Sequence, residues 1–304
     1  MATTPRSKAM QLPEMPSETQ PLRASFLMLG AVLCFTMMAI AGRKVSKVHD
    51  TFEIMTARSA IGFVLVMVAG LASGRLREVS TARLSGHFLR NIVHFTGQNL
   101  WFLALGLIPL AQVFALEFTA PIWVILLSPL FLNEALTRPR LTAAALGFIG
   151  ILIVARPDFA ALNTGVMAAA GAAVCFAAVQ ILTKRLTRGE SVIGILFWLT
   201  LMQFCFGVIC IAITGHITWP TEATLPWLGL IGLAGLLAHL CLTTALSLAP
   251  ASYVVPIDFI RLPLIAVVAA LAFAEPLDPM VLIGGAVIFV GIWINVRSQL
   301  RQPA

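Results

Sequence analysis

Residues 104–156 align without a gap onto residues 245–297, a shift of 141 positions (245 − 104 = 141), and no other feature of the chain restricts its fold as much. Pro109 falls on Pro250, Phe118 on Phe259, Glu134 on Glu275, Gly150 on Gly291 and Arg156 on Arg297. The same shift carries Gly30-Ala31 onto Gly171-Ala172, Cys34-Phe35 onto Cys175-Phe176 and Arg43-Lys44 onto Lys184-Arg185. Self-similarity at one fixed spacing marks a duplicated structural unit, so the two halves are expected to fold alike.

What is duplicated is a set of apolar runs. A helix needs ~20 apolar residues to cross a bilayer, and runs near that length follow one another at 24–41, 53–73, 88–106, 110–132, 140–155, 165–183, 191–213, 226–247, 251–273 and 279–296. Only 11% of residues are charged and 59% are hydrophobic, against about 25% charged in a globular domain. The chain reads as an all-α integral membrane protein of ten transmembrane helices. Its expected parts are an N-terminal tail at 1–23, a first five-helix unit at 24–156, a second at 165–297 and a C-terminal tail at 298–304. The N-terminal tail has no apolar core or cleavage site of its own, so the first span is expected to stay as an anchor and not leave as a signal peptide.

Five is odd, so the second unit must enter the membrane in the opposite sense to the first. The predicted architecture is a 5+5 inverted-topology repeat, which transporters use to place a substrate site near the midplane between the halves. Basic residues set the orientation, because cytoplasmic loops carry an excess of Lys and Arg. With the N-terminus inside, thirteen loop and tail Lys/Arg residues are cytoplasmic and four (Arg43, Lys44, Lys47 and Arg156) lie outside. Both termini are therefore expected in the cytoplasm, in a cell inner (plasma) membrane. The net charge of +7 follows from topology and calls for no nucleic acid; contact of the basic tail with anionic headgroups is a milder alternative. Loops 74–87 and 133–140 are basic where their repeat mates carry no Lys or Arg, as inversion requires. Loops 42–51 and 184–190 are both basic, which orientation does not explain.

All five cysteines (Cys34, Cys175, Cys205, Cys210 and Cys241) lie in apolar spans without a CxxC pair. They read as packing residues, with no disulfide framework, metal site or cofactor expected. No phosphate-binding GxxxxGK[ST] loop, GxSxG elbow or HExxH pair occurs, so neither ATP-driven nor enzymatic chemistry has a foothold, and no catalytic residue is assigned.

Chemistry then rests with the polar residues inside the spans. Glu117 falls on Asp258 under the 141 shift, so equivalent points of both halves carry a carboxylate. A charge at mid-bilayer costs about 3 kcal/mol and normally faces a cavity or a partner. Arg261 follows Asp258 by three residues, on the same helical face, so a structural ion pair and a substrate site both stand as readings. In the third span, His87, Asn91, His94 and Gln98 are spaced 4, 3 and 4 apart on one face, with Trp101 a turn further. His87 and Arg90, near the span's start, read as interfacial and snorkelling. His94 is a candidate proton carrier or a packing residue, and Glu117 is the other proton-coupling candidate. Arg58, early in the second span, needs an acid from another helix or a place at the cavity entrance. Tyr253 and Gln112, repeat mates, are substrate contacts or interfacial anchors. Pro121, Pro129, Pro256 and Pro263 interrupt the two acid-bearing spans and predict a hinge or a fixed kink there. The glycines Gly147, Gly150, Gly229, Gly232, Gly235, Gly284 and Gly285 are expected to permit close helix contacts.

An Arg early in the second span, LRN opening the third, ALGLIPLAQ leading into the fourth, and LNE and FAE closing the fourth and ninth resemble the EamA family of the drug/metabolite transporter superfamily. The resemblance covers residues 24–297 and implies a basket of helices around a central cavity, alternating access, and peripheral fifth and tenth spans. The FEIMTARS and FIRLPLIAV stretches are similar to those of S-adenosylmethionine uptake carriers; other members export amino acids or carry riboflavin. The expected function is secondary transport of a small polar or amphipathic metabolite, amino-acid-like, nucleoside-like or S-adenosylmethionine-like. Expected substrate-binding residues are Glu117, Asp258, Arg261, His94, Gln98, Asn91, Trp101, Arg58 and Tyr253. Its partners are that solute and the lipid bilayer, with a homodimer left open. An exporter of amino acids or drug-like compounds, a membrane-embedded enzyme and a non-transporting helper subunit are the alternatives.

Overall fold

The computed structural model describes residues 20–155, 163–273 and 279–300. Expectations that fall on Arg6, Lys8, Arg156, Glu275 and Arg301 lie outside the described residues. The elements are α1 (Pro21–Val45), α2 (Thr51–Ala72), α3 (Leu84–Leu107), α4 (Leu110–Glu117), α5 (Ala120–Leu132), α6 (Arg138–Ala155), α7 (Thr164–Leu186), α8 (Val192–Thr214), α9 (Leu225–Leu248), α10 (Ala251–Val254), α11 (Arg261–Phe273) and α12 (Met280–Leu300). Short 3₁₀ turns occupy Arg75–Glu78 and Val255–Ile260, and no strand occurs among the described residues. Among the described residues, six stretches are long and apolar enough to cross a membrane: Pro21–Val45, Thr51–Ala72, Gln112–Leu132, Thr164–Leu186, Val192–Thr214 and Leu225–Leu248. The protein is a multi-pass, all-helical membrane protein.

Local chemistry sets the helix ends, often in the same way in both units. Asp50 opens α2 with a capping box, its side chain accepting from the Glu53 amide while the Glu53 carboxylate accepts from the Asp50 amide. Asn163 and Ser191 cap α7 and α8 through their side-chain oxygens. Gly74 and Gly215, 141 residues apart, follow α2 and α8 in the left-handed conformation (φ 65° and 67°), which a residue with a Cβ adopts only under strain.

The two acid-bearing spans are broken at the acids. α4 ends on Glu117, and α5 begins at Ala120, with Pro121 in its first turn. In the ninth span, Asp258 sits within the 3₁₀ turn, whose first turn holds Pro256. A proline supplies no amide to the helical ladder and its ring crowds the preceding turn. Each break therefore leaves the backbone beside a carboxylate outside regular α-helix.

Packing follows the duplication. α1 runs along α9, α3 along α7, α2 against α8, and α6 along α12. Exchanging the two units turns the first pair into the second and leaves the other two unchanged. At the α6–α12 crossing, Gly150 abuts Gly284 and Ile288, while its repeat mate Gly291 abuts Ala143 and Leu146. A Cβ on Gly150 would stand 2.7 Å from the Gly284 carbonyl oxygen, so this close approach needs small residues. Gly229, expected to serve a helix contact, instead faces open space.

The two basic loops that orientation left unexplained have a structural task. Arg43 Nη1 donates to the carbonyl oxygens of Leu105 and of Ile108 (2.7 Å for the latter). Lys184 Nζ donates to those of Leu246 (2.5 Å) and Ala249 (2.8 Å). Donors and acceptors are all repeat mates. A cation at these points neutralises the unpaired carbonyls that end α3 and α9, so each unit needs its own, whatever face of the membrane it meets.

Candidate functional site

The polar face of α3 turns inward. Trp101 Nε1 donates to Glu117 Oε2 at 2.6 Å. Arg261 Nη2 donates to Glu117 Oε1 at 2.5 Å and to Asp258 Oδ2 at 2.8 Å. The two repeat-related acids are thus joined through one guanidinium, which lies 5.1–5.3 Å from the ring centroids of Phe35, Phe114 and Phe118. All three charged groups are buried, and Asp258 Oδ1 has no hydrogen-bond partner. Two carboxylates against one guanidinium leave one negative charge over in an aromatic, water-poor setting, where an unmatched charge is expensive.

Beside this triad is a cavity of about 50 Å³, lined by Glu117, Asp258, Arg261, Trp101, Gln98 and His94 together with Met28, Phe35, Met38, Phe176, Gln180 and His239. The His94 and His239 rings meet edge to face, centroids 4.8 Å apart. The side-chain oxygens of Gln98 and Gln180, His94 Nδ1 and both ring nitrogens of His239 are buried without partners. Hydrogen-bonding capacity therefore points at the hollow, while the aromatic and Met walls supply apolar contact. This is the composition of a small-molecule site. At roughly 10–15 Å³ per water-sized guest, the hollow takes a few waters, far below the roughly 300–1,000 Å³ of a metabolite pocket.

Six residues expected at a substrate site (Glu117, Asp258, Arg261, His94, Gln98 and Trp101) meet at this cavity. The other three lie elsewhere. Asn91 accepts from Arg90 Nη1 (2.9 Å) and donates to the Trp198 carbonyl (3.1 Å), joining α3 to α8. Tyr253 is buried, its hydroxyl on Ser25 Oγ (2.7 Å) and its carbonyl accepting from Asn295 Nδ2 (3.1 Å). Arg58 lines a separate small hollow with Gly62, Thr200, Gly232 and Gly235. Arg90 does not snorkel: it is 1% exposed, its Nε on Thr183 Oγ1 at 3.1 Å, because α7 packs over the side of α3 that bears it. His87 is likewise buried, 3.8 Å from the Glu190 carboxylate. Gln112 is half-buried.

Sequence reasoning missed His239 and Gln180. His239 had a signal: the 141 shift places it on Gln98 (98 + 141 = 239), so the two units put polar side chains at one equivalent point. Gln180 falls on Ala39 and had none.

The EamA-like transporter family model matches residues 22–156 and again 163–297. The S-adenosylmethionine uptake transporter of Rickettsia bellii is 26% identical over 256 residues, covering 84% of this chain and 87% of that one. The riboflavin transporter of Rhizobium johnstonii is 30% identical over 216 residues, 71% of each chain, and that of Vibrio cholerae is 27% identical over 293 residues, 93% of this chain and 97% of its own. A solved crystal structure superposes with a TM-score of 0.75 at 18% identity, covering 92% of this chain and 99% of its own, a likeness of fold. Family and relatives alike are transporters and not enzymes. Two matched units spanning nearly all the described residues decide the matter: the chain belongs to the EamA-like transporter family.

Proposed function

We propose that this chain is a secondary active transporter that moves a small polar or amphipathic metabolite across a cell inner membrane by alternating access, with the Glu117–Asp258–Arg261 cavity as its substrate site. The observation that carries the proposal is the shared guanidinium, which leaves one carboxylate oxygen unpaired against the hollow. A proton or a cationic group of the solute completes that charge balance. The aromatic walls favour a flat ring system or a sulfonium-like cation, in keeping with the solutes named for the Rickettsia and Vibrio relatives.

Alternating access needs two related halves and a place to bend. The exchange of α1–α9 with α7–α3 supports an inverted arrangement of the units at 24–156 and 165–297, and the excess of Lys and Arg in loops on one side favours cytoplasmic termini. The breaks beside Glu117 and Asp258 are the proposed hinges, since a cavity of about 50 Å³ must widen to take a metabolite.

A thermal-shift screen of metabolites against purified protein, including S-adenosylmethionine and riboflavin, tests the site. At least one solute is expected to raise the Tm of the wild type and not of Glu117→Gln; identical responses of the two proteins would sink the assignment. Proton coupling through Glu117 or His94 predicts uptake into proteoliposomes that depends on an imposed pH gradient, and uptake indifferent to that gradient would remove it.

A further inference from the structure

Two hollows are far larger than the cavity at Glu117. One, of about 600 Å³, lies between α5, α6 and α7, and the other, of about 530 Å³, between α3, α5 and α7. They share Trp123 and Val174 and so form one furrow along α7. The furrow opens outward, since Trp123 is 48% exposed and Val174 62%. Both α5 and α7 lie in membrane-crossing stretches, so what the furrow meets is hydrocarbon.

Small side chains on α7 make room for it. Ala170, Val174 and Ala178 fall on Leu29, Leu33 and Met37 under the shift of 141, so α1 carries longer side chains at the three equivalent points. Of the lining side chains only Thr119, Trp123 and Arg185 hold a polar atom, and the Thr119 hydroxyl donates to the Leu116 carbonyl at 2.8 Å. A polar solute finds almost nothing to bond there, and an empty furrow forfeits dispersion contacts. At one end stands Arg185, exposed on the last turn of α7, and among the described residues no carboxylate pairs with it. Its basic neighbours Lys184 and Arg188 are held by the carbonyls of Ala249 and Leu132. From Ala170 to Arg185 is 15 positions (185 − 170 = 15), about 22 Å of helix, against about 15 Å for one leaflet of a ~30 Å hydrocarbon core.

We propose that this furrow is a binding site for an anionic phospholipid, with an acyl chain laid along α7 past Trp123 and the headgroup phosphate on Arg185. The furrow is long enough for a chain that spans one leaflet, and the cation at its end selects the charge, as basic pockets at the ends of spans do for anionic headgroups. The excess of Lys and Arg favours the cytoplasmic side for this end of α7, where anionic lipid is concentrated. The site does not depend on the transport reading.

Thermal unfolding of the full chain in uncharged detergent tests the site, with phosphatidylglycerol or phosphatidylcholine of identical chains titrated into the micelles. Phosphatidylglycerol is expected to give a saturable rise in Tm of about 3 °C, at a midpoint concentration about fivefold lower than that of phosphatidylcholine. Arg185→Gln is expected to bring the two midpoints together. Arg77→Gln, which removes an exposed cation that does not line the furrow, is expected to keep them apart. The triple variant Ala170→Leu, Val174→Leu, Ala178→Met gives α7 the side chains of α1 and keeps Arg185. It is expected to raise the phosphatidylglycerol midpoint about fivefold or more, and it serves if Arg185→Gln does not fold. Equal midpoints for the two lipids in the wild type, an unchanged response in either furrow variant, or loss of the preference in Arg77→Gln overturns the site. A wild type that is dimeric in these micelles and monomeric as the triple variant also overturns it, because the furrow then holds a second copy of the chain.

Discussion

The buried acids and the buried Arg58 and Arg90 differ in ancestry. Glu117 and Asp258 are repeat mates, and each sits where its span is broken, so the acid pair is a property of the duplicated unit. Arg58 and Arg90 fall on Leu199 and Ile231 under the same shift and exist in the first unit only. The acids are also nearly matched, sharing Arg261, whereas no carboxylate touches the arginines among the described residues. Duplication thus builds a shared centre, and unpaired substitutions in one half give a symmetric scaffold an asymmetric chemistry.

The largest effect should come from Arg261→Ala. It strips the partner from two buried carboxylates and is expected to lower stability by about 3–5 kcal/mol, read as a large fall in the unfolding midpoint. An effect below about 1 kcal/mol would mean that the acids are matched by something else. Next come Arg43→Ala and Lys184→Ala, each expected to lose about 1–2 kcal/mol as charged donors leave helix-end carbonyls. Their effects should be similar and additive in the double variant; a large effect of one and none of the other would break the equivalence of the two units. Tyr253→Phe removes a part-buried hydrogen bond to Ser25 and a longer one to the Pro21 carbonyl and should lose about 1 kcal/mol with solute uptake unchanged, which would separate the structural tyrosine from the cavity. Arg58→Gln should have the smallest effect, within about 1 kcal/mol of zero, since no ion pair to Arg58 occurs among the described residues and its Nε has no partner. A loss as large as that of Arg261→Ala would erase the distinction between the two groups.

Much of this was legible in the chain. The all-helical membrane build, the pairing of Glu117 with Asp258 and the Asp258–Arg261 contact follow from hydropathy, from one shift of 141 residues and from a spacing of three on a helix. Trp101 and Gln98 were readable as an inward face because lipid satisfies no polar side chain. Contacts between helices were not readable. Nothing in the sequence says that Arg261 reaches across to Glu117, that Tyr253 turns to Ser25, or that Arg90 is covered by α7, because such partners depend on how spans far apart in sequence pack. The basic loops show the same limit: a pattern that charge counting could not explain became a pair of helix-end contacts once α3 and α9 were in place.

The central claim is that the acids joined by Arg261 form the transport site. Its most direct test is proteoliposome uptake of the metabolite that most stabilises the wild type, compared between wild type and Glu117→Gln. Uptake at least tenfold slower in the variant, with its unfolding midpoint preserved, is the predicted result; equal uptake by the two proteins would contradict it.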